Sequence, residues 1–367
     1  MTAKRAKVIA MVQLPPPMHG AAQMNRLAVD VLAKEFDLHV IDMRFARTLS
    51  DINRFSLRKV WRALWLGLCL IRSSPGAKAL YICFAPSGFA YYRDAFYVLL
   101  AKILRVPAIL HMHGRGLPAM RHSTCRALFQ KAVFNRQTVI LPGERLRPEL
   151  DGLNCNPVII RNCLGPATFA PVPTTPWVAH DPVRLLWVSN LFHAKGIETL
   201  IAACAILRTQ QIVCDLTIAG AEGDMNKADL MALLDHYQMR RATTWLGAVS
   251  ETGRLAAFKN ADLFVFPSHY PNEAQPLVVL EAMASNVPVI TSDIATLPEF
   301  VRDGETGRLC ATKDPEQLAY AIITAINAPT ETTIMRDAAY RMCQEDFSNE
   351  RFADRLTRVI SSIVKRS

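Results

Sequence analysis

The sequence predicts an α/β protein made of two successive domains, each with a parallel sheet covered by helices. Short apolar runs of strand length alternate with segments of helical pattern along the chain, as expected for strands that are buried on both faces. A stretch rich in Pro and Thr, from Gly165 to Pro182, lacks this periodicity and separates two such series. The length of 367 residues allows two domains, and 51% hydrophobic with 20% charged residues is typical of folded protein.

The first series begins with a strand from Lys7 to Val12, a loop from Gln13 to Gly20 and a helix that ends near Glu35. Further strands are predicted at residues 38–42, 79–84, 108–113, 138–141 and 158–161. We assign residues 1–165 to this domain and residues 166–182 to a linker.

The second series, residues 183–348, predicts strands at 184–188, 215–219, 243–245, 263–266, 289–291 and 308–309. The last segment, residues 349–367, carries a helix from Asn349 to Lys365. Two α/β domains of similar size follow one another along the chain.

The composition restricts the cellular compartment and the chemical class of partner that we expect for this protein. The nine cysteines are scattered without Cys-x-x-Cys spacing, and the short apolar run near the start ends in prolines, unlike a secretory signal, so we expect a reducing compartment. No apolar run approaches the roughly 20 residues of a membrane span. The formal net charge of +10 favours an acidic partner: an anionic membrane, phosphorylated substrates or nucleic acid. Nucleic acid is the least favoured, because no binding motif for it is recognisable.

The segment from Ala261 to Pro288 is the most informative stretch. It predicts a buried strand, a polar loop with Glu273, and a helix that starts at Pro276 and carries Glu281. A loop between a strand and a helix N-terminus is where open α/β sheets bind phosphorylated ligands. Glu281 lies about five residues into the helix, roughly 7–8 Å along its axis. The two carboxylates are therefore expected to hold hydroxyls at two ends of a ligand, with helix amides facing its phosphates.

These residues resemble the donor site of the retaining GT-B glycosyltransferases, group 1 (family 4-like). The similarity continues through Ala284, Asn286 and Pro288 to the Pro298-Glu299 pair and to residues 303–307. The resemblance implies two Rossmann-like domains facing across a central cleft, with the last helix crossing back to the first domain. It implies that Glu273 contacts the donor sugar, that Glu281 holds the nucleotide ribose, and that the donor lies against Ala274, Leu277 and Val278. Ala274 and Asn286 stand where the family usually has Gly, and Asn tolerates left-handed backbone better than most residues.

The loop after the strand at 184–188 supplies the cation of this predicted site. Relatives carry a Gly-Arg pair followed by Lys-Gly, and the two cations hold the donor diphosphate. Here Ser189 and Asn190 replace Gly-Arg, while Lys195 and Gly196 remain. The resemblance therefore assigns the diphosphate to Lys195, a weaker contact than Arg with Lys together. Asn190 is a candidate for a hydrogen bond to a phosphate, and Ser189 beside it is also a candidate donor-binding residue.

Two further candidates lie in the first domain. Gly20 resembles the glycine-rich first loop of the family, where it lets the backbone approach a ligand, and the neighbouring His19 is a second candidate. His113 follows a buried strand at its ligand-binding edge, and a His at this position sits close to the donor sugar in relatives. The alternative for His113 is a histidine bonded to backbone.

A basic amphipathic segment, residues 54–72, suggests contact with an anionic membrane. At 100° per residue, one arc contains Leu57, Val60, Trp61, Leu64, Leu68 and Ile71, and an adjoining arc contains Arg54, Arg58, Lys59 and Arg62. An ordinary packed helix with solvated cations is the alternative.

The sequence thus predicts a retaining glycosyltransferase that moves a sugar from a nucleoside-diphosphate sugar to an acceptor. The expected acceptor is a glycan or lipid-linked intermediate of surface polysaccharide, exopolysaccharide or lipopolysaccharide assembly. We expect cytoplasmic protein, peripheral on the inner membrane face, and the resemblance implies neither a cofactor nor a metal ion. The alternatives are a nucleotide-sugar epimerase or hydrolase of the same fold, or a non-catalytic nucleotide-binding assembly protein.

Overall fold

The computed structural model describes residues 5–16, 20–45, 57–172 and 174–366. The chain divides into two units. Unit 1 contains residues 1–163 together with 349–367, and unit 2 contains residues 164–348. The expected arrangement of two α/β domains is observed, each with a parallel sheet of six strands among the described residues.

Unit 1 places its sheet strands in the order β2-β1-β3-β4-β5-β6. The strands are β1 (Lys7–Val12), β2 (Asp37–Asp42), β3 (Ala77–Phe84), β4 (Ala108–Met112), β5 (Thr138–Leu141) and β6 (Asn156–Ile159). The helices are α1 (Gly20–Glu35), α2 (Leu57–Ser73), α3 (Gly88–Ile103) and α4 (Thr124–Phe134). The sixth strand starts and ends two residues earlier than the predicted 158–161.

The last helix, α11 (Asn349–Val364), belongs to unit 1, where it contacts α1 and β3. Its apolar face, Phe352, Leu356 and Ile360, is almost completely buried. These three residues follow a four-residue spacing, which places them on one side of a helix. Unit 1 is therefore built from two separate stretches of chain.

Unit 2 has the strand order β12-β11-β10-β7-β8-β9. The strands are β7 (Val183–Val188), β8 (Cys214–Ala219), β9 (Thr243–Trp245), β10 (Leu263–Phe266), β11 (Val289–Ser292) and β12 (Arg308–Cys310). The helices are α5 (Ile197–Thr209), α6 (Lys227–His236), α7 (Glu251–Lys259), α8 (Leu277–Ala284), α9 (Pro315–Asn327) and α10 (Pro329–Asp346). The order reverses between β7 and β10, and ligands of open α/β sheets bind outside the strand ends at such a point.

The Pro- and Thr-rich segment lies along unit 2. The Ala170 amide donates to the Ala284 carbonyl at 3.0 Å, and the Trp177 indole N–H donates to the Asp262 carbonyl at 2.9 Å. Tyr340 of α10 donates its hydroxyl to the Ala170 carbonyl at 2.8 Å. These bonds attach the segment to the second unit.

None of the described helices has the length and the apolarity required to cross a bilayer.

Candidate functional site

The loops after β7 and β10 meet at the point where the strand order reverses. Gly196 makes this contact possible: its φ is +83°, and a Cβ there would lie 2.0 Å from the carbonyl oxygen of Pro267. The His269 amide also donates to the Ala194 carbonyl at 2.8 Å. The end of the first loop, with Lys195, is thereby held against the second.

Lys195 and Glu273 form an ion pair between these two loops. Lys195 Nζ lies 2.6 Å from Glu273 Oε2, and the two side chains are 16% and 9% exposed. The ammonium also lies 4.6 Å from the centroid of the Tyr270 ring, a cation–π distance. The structure therefore brings together two of the residues that the sequence singled out, although 77 residues lie between them.

Ser268 supports the Glu273 carboxylate. Its hydroxyl donates to Glu273 Oε2 at 3.2 Å, and its oxygen accepts from the Tyr270 amide at 3.3 Å. Ser268 is itself fully buried, and its carbonyl accepts a hydrogen bond from the Ser292 hydroxyl on β11. A carboxylate that is held by a cation and a hydroxyl is oriented before any ligand arrives. Sequence reasoning did not assign a role to Ser268 or Tyr270.

Ser189 and Asn190 shape the start of the first loop. The Ser189 amide donates to the Ala219 carbonyl at 3.0 Å, and Asn190 Oδ1 accepts from the Ala221 amide at 3.2 Å. A Cβ on Gly220 would lie 1.6 Å from the Ser189 carbonyl oxygen, so the two loops after β7 and β8 are in close contact. Because Asn190 Oδ1 already accepts a backbone hydrogen bond, the group that Asn190 can offer to a ligand is its Nδ2 amide, which is a donor.

Helix α8 begins at Leu277, one residue later than predicted, because Pro276 is its N-cap residue with extended backbone (φ −72°, ψ 117°). The first N–H groups of a helix have no partner within it, which makes them available to an anion. Of the residues of α8, Val278 alone is only half-buried; Leu277 and the others are buried. Ala274 is buried and its carbonyl accepts from the Thr296 hydroxyl at 2.7 Å. Asn286, just after the helix, has the left-handed φ of 59° for which Asn is suited.

Glu281 is paired with a cation that sequence reasoning missed. Arg254 of α7 places Nε 2.7 Å from Glu281 Oε2 and donates from Nη2 to Oε1 at 2.9 Å. Burial raises the pKa of Glu281, and the nearby Arg254 opposes that rise. Both carboxylates singled out from the sequence are therefore matched with a cation. Two such pairs beside a helix N-terminus are suited to a ligand that carries both hydroxyls and phosphates.

The remaining candidates belong to unit 1. Gly20 is exposed and is the first residue of α1, while His19 lies outside the described residues. His113 directly follows β4, and its ring centroid is 4.1 Å from that of His111. His111 is fully buried, and its Nδ1 is 2.6 Å from the Tyr81 hydroxyl. Burial and the neighbouring His113 lower the pKa of His111 well below its usual value, so His111 is neutral.

The members of the predicted apolar arc whose side chains are described, Val60, Trp61, Leu64, Leu68 and Ile71, are exposed. Helix α2 packs through Leu66 and Leu70, while Trp61 is 74% exposed and Trp65 is 57% exposed. The exposed apolar residues of α2 and of the adjacent α3 are Val60, Trp61, Leu64, Trp65, Leu68, Ile71, Phe89, Tyr92, Phe96 and Ile103, which we call the α2–α3 apolar surface. Arg58 and Arg62 are exposed on α2 as well, and residues 54–56 lie outside the described part.

The two units, each with a six-stranded parallel sheet, match the GT-B fold of solved glycosyltransferase structures. HepE of Anabaena, whose structure was solved in complex with UDP, shares this fold with a TM-score of 0.74 and 17% identity. The comparison covers 97% of this chain and 99% of HepE. The fold expected from the sequence is thereby confirmed.

Residues 177–342, which lie within the second unit, match the family model of the glycosyl transferases group 1. Over 166 residues the chain is 37% identical to a glycogen synthase of Mycobacterium tuberculosis, which covers 45% of this chain and 39% of the relative. Over 183 residues it is 28% identical to the amylovoran biosynthesis glycosyltransferase AmsK of Erwinia amylovora, covering 45% of this chain and 44% of AmsK. The matched part is thus less than half of the length of these curated relatives.

Proposed function

We propose that this protein is a retaining glycosyltransferase that uses a nucleoside-diphosphate sugar. The observation that carries the proposal is the Lys195–Glu273 pair, 2.6 Å apart at the reversal point of the second sheet and close in sequence to the α8 N-terminus. Glu273 accepts hydrogen bonds from hydroxyls of the donor sugar, and Glu281 accepts them from the ribose. The match of residues 177–342 to the glycosyl transferases group 1 model and the UDP bound to HepE support this assignment.

The donor diphosphate is held by Lys195 and by the first amides of α8 near Leu277 and Val278. Helix N-termini and point charges both favour anions. Asn190 donates from Nδ2 in place of the Arg that relatives carry. In this proposal the diphosphate charge is neutralised by protein groups without a divalent ion, so transfer persists in a chelator such as EDTA.

The reaction retains the configuration of the anomeric carbon because the acceptor attacks this carbon from the same face from which the leaving group departs. The bond between the anomeric carbon and the phosphate oxygen breaks, and a bond from the acceptor oxygen to that carbon forms. The acceptor proton passes to the departing diphosphate, which leaves as a nucleoside diphosphate. The protein orients and stabilises these groups, and this scheme needs no nucleophilic side chain.

The proposed acceptor is a lipid-linked or surface-polysaccharide intermediate at the cytoplasmic membrane face. The α2–α3 apolar surface exposes two tryptophans beside Arg58 and Arg62, and such a surface favours the interface of an anionic bilayer. The formal net charge of +10 also favours binding to an anionic bilayer. The similarity of part of this chain to AmsK, an amylovoran biosynthesis glycosyltransferase, supports a polysaccharide pathway.

Incubation with labelled nucleotide sugars and a membrane extract tests the reaction. We expect label to move to a lipid-extractable or polymeric product with the wild type and to fall at least about a hundredfold in Glu273→Gln, because transition-state hydrogen bonds are lost. Glu316→Gln, an exposed carboxylate at the start of α9, is the matched control and keeps wild-type transfer. Undiminished transfer by Glu273→Gln contradicts its role.

The products separate the alternatives. Release of free sugar indicates a hydrolase, a changed sugar on the same nucleotide indicates an epimerase, and binding without turnover indicates an assembly protein.

Gly20 and His113 keep the roles that the resemblance implies as predictions: His113→Ala lowers the rate of transfer, and Gly20→Val weakens nucleotide-sugar binding.

Sedimentation with liposomes tests the membrane partner. The wild type is expected to sediment with vesicles of phosphatidylglycerol and phosphatidylcholine. The double variant Arg58→Glu with Arg62→Glu is expected to stay in the supernatant, because two attractions to the anionic lipid become repulsions. The control reverses Arg240 and Arg241, an exposed pair in unit 2. Equal retention of both double variants, or no retention of the wild type, removes the membrane from the proposal.

A further inference from the structure

Arg254 and Glu281 make a two-point contact between helices α7 and α8. The Nε–Oε2 distance is 2.7 Å, and the Nη2–Oε1 hydrogen bond is 2.9 Å. Their side chains are 18% and 3% exposed, so the contact is shielded from water. A guanidinium can contact both oxygens of a carboxylate at once, which Lys cannot do. Here one contact is a hydrogen bond and the other is a contact of opposite charges, and together they orient the Glu281 carboxylate.

The Nη2 hydrogen bond takes one lone-pair direction on Glu281 Oε1, whereas Oε2 accepts no hydrogen bond from the described residues and has the Arg254 Nε charge 2.7 Å away. A carboxylate oxygen has two such directions, so one remains on Oε1 and both remain on Oε2. Two acceptor directions of one carboxylate suit two neighbouring hydroxyl groups. The charge matters as well, because a protonated carboxyl loses acceptor capacity and becomes a donor.

We propose that Arg254 is a positioning residue for the ribose of the nucleotide, and that the Arg254–Glu281 pair makes the site select an intact 2′,3′-diol over a 2′-deoxyribose. The inference rests on the proposed function, in which Glu281 binds the ribose. It concerns Arg254 and the discrimination against deoxynucleotides, which the family resemblance does not assign.

The charged groups that act on Glu281 are few. Both Arg254, which lowers its pKa, and Glu251, which raises it, come from α7. From α10, the Cys343 thiol donates to the Leu280 carbonyl and is neutral, because burial raises its pKa. Strands β10 and β11 pack on α8 and carry no titratable side chain. Removal of Arg254 leaves burial and Glu251 acting together, so the pKa of Glu281 then rises further.

The experiment compares UDP with 2′-deoxy-UDP by isothermal titration calorimetry. If UDP does not bind, GDP or ADP replaces it together with its own 2′-deoxy form. The variants are Arg254→Met, Glu281→Gln and the control Arg240→Met, whose guanidinium pairs with Asp235 on the surface of the same unit. Arg254→Lys replaces Arg254→Met if the latter does not fold.

We expect the wild type and Arg240→Met to prefer the ribonucleotide by about tenfold or more, the loss expected for one hydrogen bond to a charged group. In Arg254→Met and Glu281→Gln the preference falls to about twofold or less. For the wild type, the preference weakens as the pH falls through the pKa of Glu281. In Arg254→Lys this loss occurs at a higher pH, because a single point charge lowers that pKa less.

Several results overturn the inference. An unchanged preference in Arg254→Met, with affinity lost equally for both nucleotides, shows that Arg254 acts on the phosphates or on folding alone. Equal binding of both nucleotides by the wild type removes ribose selection and leaves the proposed function standing. Failure of all the diphosphates to bind removes the proposed function together with the inference.

Discussion

At the scale of single residues, the site is a set of opposite charges that satisfy one another before a ligand binds. Lys195 contacts Glu273 at 2.6 Å, and Arg254 contacts Glu281 at 2.7 Å. Each buried carboxylate has a cation, so neither is left as an isolated buried charge. In the proposed function, a donor diphosphate that approaches Lys195 shares the ammonium with Glu273, so binding of the diphosphate would exchange one partner of Lys195 for another.

This sharing gives a prediction for Lys195→Met. Nucleoside-diphosphate affinity falls about tenfold or more, because a charge-assisted contact to phosphate is lost. The unfolding free energy also falls, by roughly 1–3 kcal/mol, because Glu273 remains buried without its cation. Calorimetry and urea denaturation measure the two effects.

The double variant Lys195→Met with Glu273→Gln separates the effect on nucleotide affinity from the effect on the unfolding free energy. It restores most of the unfolding free energy, since no unpaired charge is left, and it does not restore nucleotide affinity. Lys259→Met, on the exposed end of α7, is the control for a lost positive charge. Recovery of affinity in the double variant would contradict the assignment of Lys195 to the diphosphate.

A candidate site residue could be predicted from the sequence only where it lies within a recognisable local sequence pattern. Glu273, Glu281 and Lys195 stand in patterns of strand, loop and helix that are recognisable within about 30 residues. Arg254 lies 27 residues before Glu281, in a short helix where a cation resembles any solvated surface charge. Ser268 and Tyr270 act through hydrogen bonds and ring contacts, which have no periodicity. Their roles follow only from the folded geometry.

At the scale of elements, the site depends on how closely two loops approach. Parallel strands were predictable from their apolar runs, and their limits were mostly accurate to within two residues. The contact between the loops after β7 and β10 depends on strand order, which periodicity does not encode. The start of α8 at Leu277 shows the same limit, because Pro is compatible with both the N-cap and the first helical position.

Gly196 is the residue at which this approach can be tested. Gly196→Ala places a Cβ 2.0 Å from the Pro267 carbonyl oxygen, so the loops must separate. We expect a loss of about 2 kcal/mol or more of unfolding free energy beyond the backbone strain, and weaker nucleotide binding because Lys195 moves with the loop.

Gly304→Ala is the matched control. It has a similar left-handed φ of +76°, with no atom within 4 Å of the added Cβ, so only the backbone strain of about 1–2 kcal/mol applies. Urea denaturation and calorimetry compare the two variants. Equal losses in both would show that the contact with Pro267 is unimportant.

At the scale of the whole molecule, the chain leaves unit 1 after residue 163 and returns to it at Asn349. The returning helix buries Phe352, Leu356 and Ile360, and the Phe352 ring stacks at 6.4 Å from that of His111. The sequence predicted the helix from its pattern. Its attachment to unit 1 was implied by the family resemblance alone, because an amphipathic pattern does not identify the surface that it covers.

A chain that ends at Ser348 tests this dependence. We expect α1 and β3 to lose protection from hydrogen exchange, because the surface under α11 becomes exposed, while α5 in unit 2 keeps its protection. Arg358→Ala in the full chain is the control, since this side chain is 77% exposed and its loss changes stability by about 0.5 kcal/mol or less. Full protection of β3 in the shortened chain would contradict the prediction.

The return of α11 has a consequence for biosynthesis. Unit 2 is one continuous stretch of chain, so it can fold as soon as it has left the ribosome. Unit 1 is translated first, but its closing helix is translated only after the whole of unit 2. During that interval the surface destined for Phe352, Leu356 and Ile360 is uncovered and open to chaperones or to aggregation. A chain whose translation stops within unit 2 therefore lacks a complete N-terminal unit.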